Sequence, residues 1–294
     1  MSRIFSLAFL AQVLRIALPY LAASMGGIWS ERAGVPNVAL GGTILVSALG
    51  AVAGTTATGS PWAGLVIGVL SGVLLQWIHA LSVLVGRANA IVSGLALNLL
   101  ASGGTRFLLR ALYDSSSNSP AIPGLSEKAG KTLLVATLLD PTTWLVALVV
   151  VGTIVGLERT KLGLRVRAVG EHPEAAESVG VHVLRTRLAA LGLAGACAGL
   201  AGAWLAFDQR QFSSGMSGGR GFIALATVVI AGWEPRGAAL FAVLFGAAEA
   251  AQIVLQDQKA IPHQMVQALP YLVTLVVLAG WVRRSRPPAA LARS

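Results

Sequence analysis

The sequence predicts an all-α, polytopic membrane protein with about nine transmembrane helices (eight to ten), some of them broken, with the breaks placed as an inverted repeat would place them. Three observations predict it. Only 12% of the 294 residues are charged, about half the share found in soluble globular proteins. Hydrophobic residues make up 55%, and with 34 glycines they leave too little polar surface for a soluble chain; mean hydropathy is +0.74. Finally, apolar runs long enough to cross roughly 30 Å of hydrocarbon as helices recur along the whole chain.

The runs fall at 5–28, 38–53, 63–85, 90–112, 144–157, 188–207, 221–232, 238–255 and 266–282. The first is too long for a signal peptide, carries Arg15 inside and has no evident small-residue cleavage site, so it reads as a retained helix. The net charge of +10 fits the basic loops of a membrane protein better than nucleic-acid binding. Arg159, Lys161, Arg165, Arg167, Arg185 and Arg187 lie between the fifth and sixth runs, and Arg283, Arg284, Arg286 and Arg293 lie in the tail. Both regions are therefore expected on the cytoplasmic side, with Arg32, Arg87 and Arg236, and the loop at 115–123 on the other side with the N-terminus. The expected organisation is one transmembrane domain over 1–294, containing a cytoplasmic segment at 158–187 and ending in a cytoplasmic tail at 284–294.

Catalytic and metal chemistry find little support. The single cysteine, Cys197, and four scattered histidines make neither a disulfide framework nor a metal site. Gly130-Lys131-Thr132 ends like a phosphate loop, but five residues separate it from Gly124 where that loop needs four, and no strand precedes it. No nucleophile elbow, HExxH pair or carboxylate dyad occurs. No cofactor is expected in this chain, and if ATP powers it the ATPase is another subunit.

Polar side chains inside apolar runs face the protein interior because lipid exposes them at high cost. Arg15, Asn37, Asn98, Glu249 and Gln252 are such residues. Helix-to-helix hydrogen bonds account for them, as do a solute contact at Asn98 and a proton site at Glu249.

Two hydrophobic segments are broken in a similar way. Gly34-Val35-Pro36-Asn37-Val38-Ala39-Leu40 and Gly218-Gly219-Arg220-Gly221-Phe222-Ile223-Ala224-Leu225 each place a glycine-containing breaker before an aliphatic-Ala-Leu opening. Each follows a full span, and the two pairs run in opposite directions. Unwound backbone persists in a membrane only where it is buried in protein or lines a cavity. The breakers Gly34, Pro36, Gly219 and Gly221 therefore mark a solute pathway, with Asn37, Asn98 and Phe222 as its expected lining. Amides and an aromatic face without a cluster of like charges suit a neutral hydroxylated solute.

The cytoplasmic segment contains a short helix signal. Pro173 suits the first helical position, with His172 as N-cap, Glu174 in the first turn and Gly180 as the stop. Two turns do not hold alone in water, so the helix is steadied by its own loop or by a partner chain. Ala175, Ala176 and Val179 give it small apolar positions that suit insertion into a partner's groove.

Three stretches in order carry a family resemblance: Ser30-Glu31-Arg32-Ala33-Gly34-Val35-Pro36-Asn37, the run from Arg165 to Gly180, and Gly219-Arg220-Gly221-Phe222-Ile223-Ala224-Leu225-Ala226. They resemble the permease subunits of ABC importers of the ribose and branched-chain amino acid type, above all the nucleoside and simple-sugar branch. The resemblance runs from Ser30 through Glu249. The branch usually continues Val-Asn-Ile-Gly-Leu-Glu-Gly, where this chain reads Pro36-Asn37-Val38-Ala39-Leu40-Gly41-Gly42 and lacks the glutamate. Its Gly-Glu-Asn-Pro is here Gly170-Glu171-His172-Pro173, with a poorer N-cap.

The resemblance implies a permease that moves a nucleoside or simple sugar inward across a bacterial or archaeal cytoplasmic membrane. It also implies a second permease subunit, the same or paralogous, an extracytoplasmic solute-binding protein, and cytoplasmic ABC ATPase subunits that hold ATP and Mg. The helix from His172 to Gly180 is then the element that couples to the ATPase. Read from its residues alone, the chain also fits an ion- or proton-coupled secondary transporter of a small polar solute, on the inverted breaks and Glu249.

Overall fold

The computed structural model describes residues 7–126, 132–256, 272 and 287–291. Among the described residues eleven helices follow one another: α1 (Leu7–Arg32), α2 (Leu40–Thr58), α3 (Pro61–Leu84), α4 (Ala90–Tyr113), α5 (Leu133–Leu138), α6 (Pro141–Arg159), α7 (Lys161–Glu171), α8 (Pro173–Ser178), α9 (Val183–Gln209), α10 (Arg220–Ile230) and α11 (Pro235–Gln256). No strand occurs among the described residues.

Eight of the nine apolar runs coincide with helices. Seven of those helices, α1, α2, α3, α4, α6, α9 and α11, are long and apolar enough to cross a membrane. The run at 221–232 becomes α10, whose 11 residues reach only about 16 Å at 1.5 Å per residue. The stretch before it is taken up by turns with left-handed glycines at Gly215, Gly218 and Gly219, so the chain descends without helix before α10 begins. The run at 266–282 lies outside the described residues apart from Leu272, as do most of the Gly-Lys-Thr stretch and much of the tail.

Local sequence fixes several ends. Asn89 Oδ1 accepts from the N–H groups of Ile91 and Val92 at 3.0 and 3.1 Å to start α4, and Asp140 Oδ1 accepts from Thr142 N–H at 3.0 Å to start α6. Pro61 and Pro141 stand at first helical positions, where the missing N–H costs nothing. Pro19, by contrast, sits inside α1 without ending it.

Helix α9 is the centre, packed against α1, α2 and α3. Its Ala198, Ala201, Trp204 and Phe207 join Ala22 of α1 and Ile44 and Ala48 of α2 in one core. Small residues let these backbones meet: a Cβ on Gly202 would stand 2.1 Å from the Ile44 carbonyl oxygen. Helices α4 and α6 lie at the edge and expose long apolar stripes.

The basic loops gather at one end, where Arg32, Arg87, Arg167, Arg187 and Arg236 border two clefts beside α7 and α8. At the other end two loops pair as short extended segments. Ser119 N–H donates to the Phe212 carbonyl at 2.9 Å, Ile122 N–H to Arg210 at 2.8 Å, and Ser214 N–H to Ser117 at 2.7 Å.

Candidate functional site

The first break is a tight turn at the basic end of α1. Gly34 has φ 81°, a left-handed conformation that glycine adopts without a steric cost, and its N–H donates to the Glu31 carbonyl at 2.9 Å. Pro36 follows, half-buried, and its carbonyl accepts from His79 Nε2 at 3.2 Å. A carbonyl can only accept, so that nitrogen carries the proton and Nδ1 is left to accept from the Ser93 hydroxyl at 3.0 Å.

Asn37 is fully buried. Its amide faces that of Gln76 on α3 reciprocally, giving to Gln76 Oε1 at 3.0 Å and taking from Gln76 Nε2 at 3.1 Å, and it also donates to Ser30 Oγ at 3.1 Å. Gln76 Nε2 continues to Thr43 Oγ1 at 2.9 Å. Ser30, Asn37, Gln76 and Thr43 thus form a fully buried polar cluster that holds the break against α3.

Asn98 reaches the next part of the break from α4. Its Nδ2 donates to the Val38 carbonyl at 2.8 Å, and its Oδ1 accepts from Gly42 N–H at 2.6 Å. Those are backbone groups that the unwound entry to α2 leaves open. Gly41 lies alongside, and there the second break arrives: a Cβ on Gly221 would stand 2.2 Å from Gly41 N. The two broken segments, about 180 residues apart in sequence, therefore touch at the first turns of α2 and α10. Gly219, with φ 78°, is the N-cap position of α10. Phe222 follows and is exposed on the surface of the chain.

A charged cluster secures the start of α10 at its upper side. Arg220 Nη2 donates to Glu249 Oε1 of α11 at 2.9 Å, and Arg220 Nη1 to the Met216 carbonyl at 3.2 Å. Tyr20 Oη of α1 donates to Glu249 Oε2 at 2.6 Å, and the guanidinium lies 5.9 Å from the Tyr20 ring centre. Arg15 pairs bidentately with Asp208 of α9 at 2.7 and 2.8 Å. Among the described residues no group of three or more His, Cys, Asp or Glu is placed to hold a metal ion.

Glu31, nearly fully buried at the end of α1, ties that helix to the α10–α11 turn. Its carboxylate accepts from the Trp233 indole N–H there. Arg32 Nε donates to the Trp233 carbonyl at 2.8 Å. Trp233 itself has φ 59°, unusual for an aromatic residue, and these contacts hold it there.

The segment at 158–187 forms two helices. The sequence pattern pointed only to the second; α7 is started by Thr160 Oγ1, which accepts from Gly163 N–H at 3.1 Å. His172 stands at the N-cap of α8, with its side chain making no capping bond and its carbonyl accepting from Ala176 N–H at 2.9 Å. Pro173 opens the helix, Glu174 is exposed in its first turn, and left-handed Gly180 closes it with φ 86°. Ala176 is buried against the protein itself, whereas Ala175 is exposed and Val179 is 77% exposed. A cleft of about 580 Å³ beside α8 is lined by Gly34, Arg87, Glu171, Glu174, Arg187 and Ala290, among others. Ala290 N–H donates to the Gly170 carbonyl at 2.9 Å, and Arg187 Nε to that of Ala33 at 3.1 Å, so α7, the first break and the tail meet at one point.

Gln76, Glu31 and Asp208 went unmarked in the sequence. Gln76 obeys the rule that singled out Asn98, an amide inside an apolar run. Asp208 and Glu31 lie at the C-terminal ends of α9 and α1, where the helix dipole disfavours a carboxylate, and only the fold reveals the donors that offset this, Arg15 and the Trp233 indole.

Residues 9–278 match the family described as the branched-chain amino acid transport system permease component. The guanosine ABC transporter permease protein NupQ of Bacillus subtilis is 32% identical over 93% of this chain and 92% of its own length. The nucleoside ABC transporter permease protein NupC of Lactococcus lactis is 33% identical, covering 95% and 94%. The glucose ABC transporter permease protein TsgB13 of Haloferax volcanii is 25% identical, covering 92% and 76%. Bacillus subtilis and Lactococcus lactis each hold a second matching permease protein, at 22% and 23% identity. With seven membrane-length helices among the described residues and a match across nearly its whole length, the chain belongs to the branched-chain amino acid transport permease family, as a multi-pass ABC permease of the cytoplasmic membrane.

Proposed function

We propose that this permease moves a nucleoside or simple sugar inward, and that separate ABC ATPase subunits, which hold ATP and Mg, power it. The observation that carries the solute class is the meeting of the two breaks. Asn98, the first turns of α2 and α10 and exposed Phe222 offer amide and aromatic contacts with no cluster of like charges, which suits a neutral hydroxylated solute. The names of the guanosine, nucleoside and glucose permeases point the same way. The pathway runs past Asn98 and Phe222, with Asn37 anchoring the wall from behind and Gly34, Pro36, Gly219 and Gly221 shaping the breaks.

The segment at 158–187 is the coupling element, and its outward-facing Ala175 and Val179 enter the ATPase subunit. An apolar side chain as exposed as Val179 on the basic loops gains by burial in a partner. The membrane part is a pair of permeases, here with a paralogous second subunit, as the double matches in two organisms suggest. A solute-binding protein delivers the cargo from outside.

Purification of the membrane complex followed by uptake into proteoliposomes tests this reading. Co-purifying ATPase and second permease subunits, with ATP-dependent uptake of a labelled nucleoside or sugar, are the expected result. Uptake that continues without the ATPase and collapses with the ion gradient overturns it.

A further inference from the structure

At the basic end, on the side of α6 and α11, a second cleft of about 350 Å³ is lined by Arg32, Arg167 and Arg236 together with Glu158 and Glu234. Its charges are unequally satisfied. Arg236 Nη2 pairs with Glu158 Oε2 at 2.7 Å, which neutralises both. Arg32 gives its Nε to the Trp233 carbonyl, which does not cancel its charge. Arg167 Nε is buried with no hydrogen-bond partner among the described residues. Arg32 and Arg167 lie close enough to repel each other, with Glu234 on the cleft and Glu171 near Arg32 from α7, and a buried guanidinium N–H of Arg167 lacks an acceptor among the described residues. A buried donor of this kind is costly unless a ligand supplies the acceptor.

The cleft is continuous with an apolar surface. Trp144, Leu148, Val151 and Val155 form one exposed stripe down α6 that ends at Glu158. Leu240 and Leu244 continue an exposed face of α11 above Arg236, and the two helices pack together. On the α6 side a Cβ added at Gly152 would meet open space, so the stripe has a notch. A basic cleft at the membrane surface beneath an apolar groove matches an amphiphile with one negative charge.

We propose that this cleft binds the phosphodiester headgroup of an anionic phospholipid, with Arg167 and Arg32 on the phosphate and the acyl chains along the α6–α11 groove. A phosphodiester oxygen between Arg167 and Arg32 relieves the repulsion of the two guanidiniums. It also supplies the acceptor that Arg167 Nε lacks. Arg167 lies on α7, next to the coupling helix, and Arg32 ends the helix that leads into the first break. The lipid therefore braces the joint between the two.

Native mass spectrometry of the whole complex, delipidated and titrated with dioleoyl phosphatidylglycerol or dioleoyl phosphatidylcholine, tests this. Occupancy by the anionic lipid should exceed that by the zwitterionic one, and Arg167→Gln should lower it about fivefold. The exposed bases of the same segment serve as controls: Arg165→Gln should leave occupancy unchanged. Glu234→Gln removes the competing carboxylate from an exposed position and should raise occupancy about fivefold. It keeps the test decisive where Arg167→Gln disturbs assembly. Val155→Asp should lower occupancy by spoiling the groove, and millimolar inorganic phosphate should leave it unchanged. Equal binding of the two lipids, an equal loss with Arg165→Gln, or no gain with Glu234→Gln overturns the proposal. So does full displacement by inorganic phosphate with no effect of Val155→Asp, which would make the cleft a site for free phosphate.

Discussion

Gly42 of α2 gives its backbone N–H not to its own helix but to Asn98 of α4, 2.6 Å away, and the same amide returns a bond to the Val38 carbonyl. One side chain thereby closes both sides of an unwound helix entry. Asn98→Leu leaves a donor and an acceptor unmade and should destabilise the fold by about 1–3 kcal/mol. Asn98→Asp keeps the bond from Gly42 and loses the one to Val38. Transport should fall at least tenfold in the leucine variant and less in the aspartate variant, measured as uptake per assembled complex. Equal activity of the leucine variant and wild type would show that Asn98 is dispensable to the pathway.

The Arg220–Glu249 pair is a structural tie between α10 and α11 that Tyr20 shares with α1. Truncating one partner strands the other charge, so Glu249→Ala and Arg220→Ala should each lower stability by roughly 1–3 kcal/mol. The double alanine replacement should cost less than the two single losses together, the signature of a coupled pair. Glu249→Gln keeps the Tyr20 bond and should still transport, and a protonophore should not slow its ATP-driven uptake. Uptake that dies with Glu249→Gln in a normally assembled complex identifies Glu249 as a proton site instead.

Much of this was legible in the sequence, for reasons that differ by element. Apolar length alone marked eight of the helices, because span length follows from bilayer thickness and not from neighbours. Pro173 and Gly180 marked α8, since they act on the backbone locally. Helix α10 turned out shorter than a span because three left-handed glycines before it take the descent out of helix, and apolarity does not distinguish the two. Pairings such as Asn37 with Gln76 or Glu31 with Trp233 depend on how a helix packs against a turn 39 or 202 residues away in sequence. No local pattern encodes them. The inward-facing Ala176 is of the same kind: it has the composition of a docking residue but lies on the side of α8 that packs on the protein.

For α8, the proposed coupling helix, the orientation decides which change is informative. Val179→Asp places a charge on the exposed face and should uncouple ATP hydrolysis from uptake or release the ATPase, while the membrane part stays folded. Ala176→Glu forces a charge into packed protein and should lower expression of the chain itself. His172→Asn supplies a better cap, by up to about 1 kcal/mol, and should be tolerated. Unchanged ATPase assembly and transport in Val179→Asp would remove α8 from the docking surface.

Orientation has a direct check. Ser178 is exposed on α8, and the one native cysteine, Cys197, is buried in α9, so a cysteine at 178 reports almost alone. Impermeant thiol reagents should fail to label Ser178→Cys in intact cells and should label it in inverted vesicles. Labelling from outside would reverse the topology read from the basic loops.

The last expectation separates wall from anchor along the proposed solute pathway. Phe222 is exposed at the start of α10, one residue past the Gly221–Gly41 contact, so its ring is free to stack on a base or the face of a sugar. Asn37 is fully buried, and its amide is engaged by Ser30 and Gln76. The two residues should therefore fail differently. Phe222→Ala should leave stability within about 0.5 kcal/mol, as surface changes do, and should raise the apparent KM or lower the rate of uptake, with the binding protein's own affinity unchanged. Asn37→Leu leaves the buried Gln76 amide without its partner and should lower thermal stability before it alters solute preference. Asn37→Leu with Gln76→Leu removes both ends of the reciprocal bond and should recover part of that stability. If Phe222→Ala and Asn37→Leu both assemble normally and transport at the wild-type rate across solute concentrations, the pathway does not pass between the two breaks.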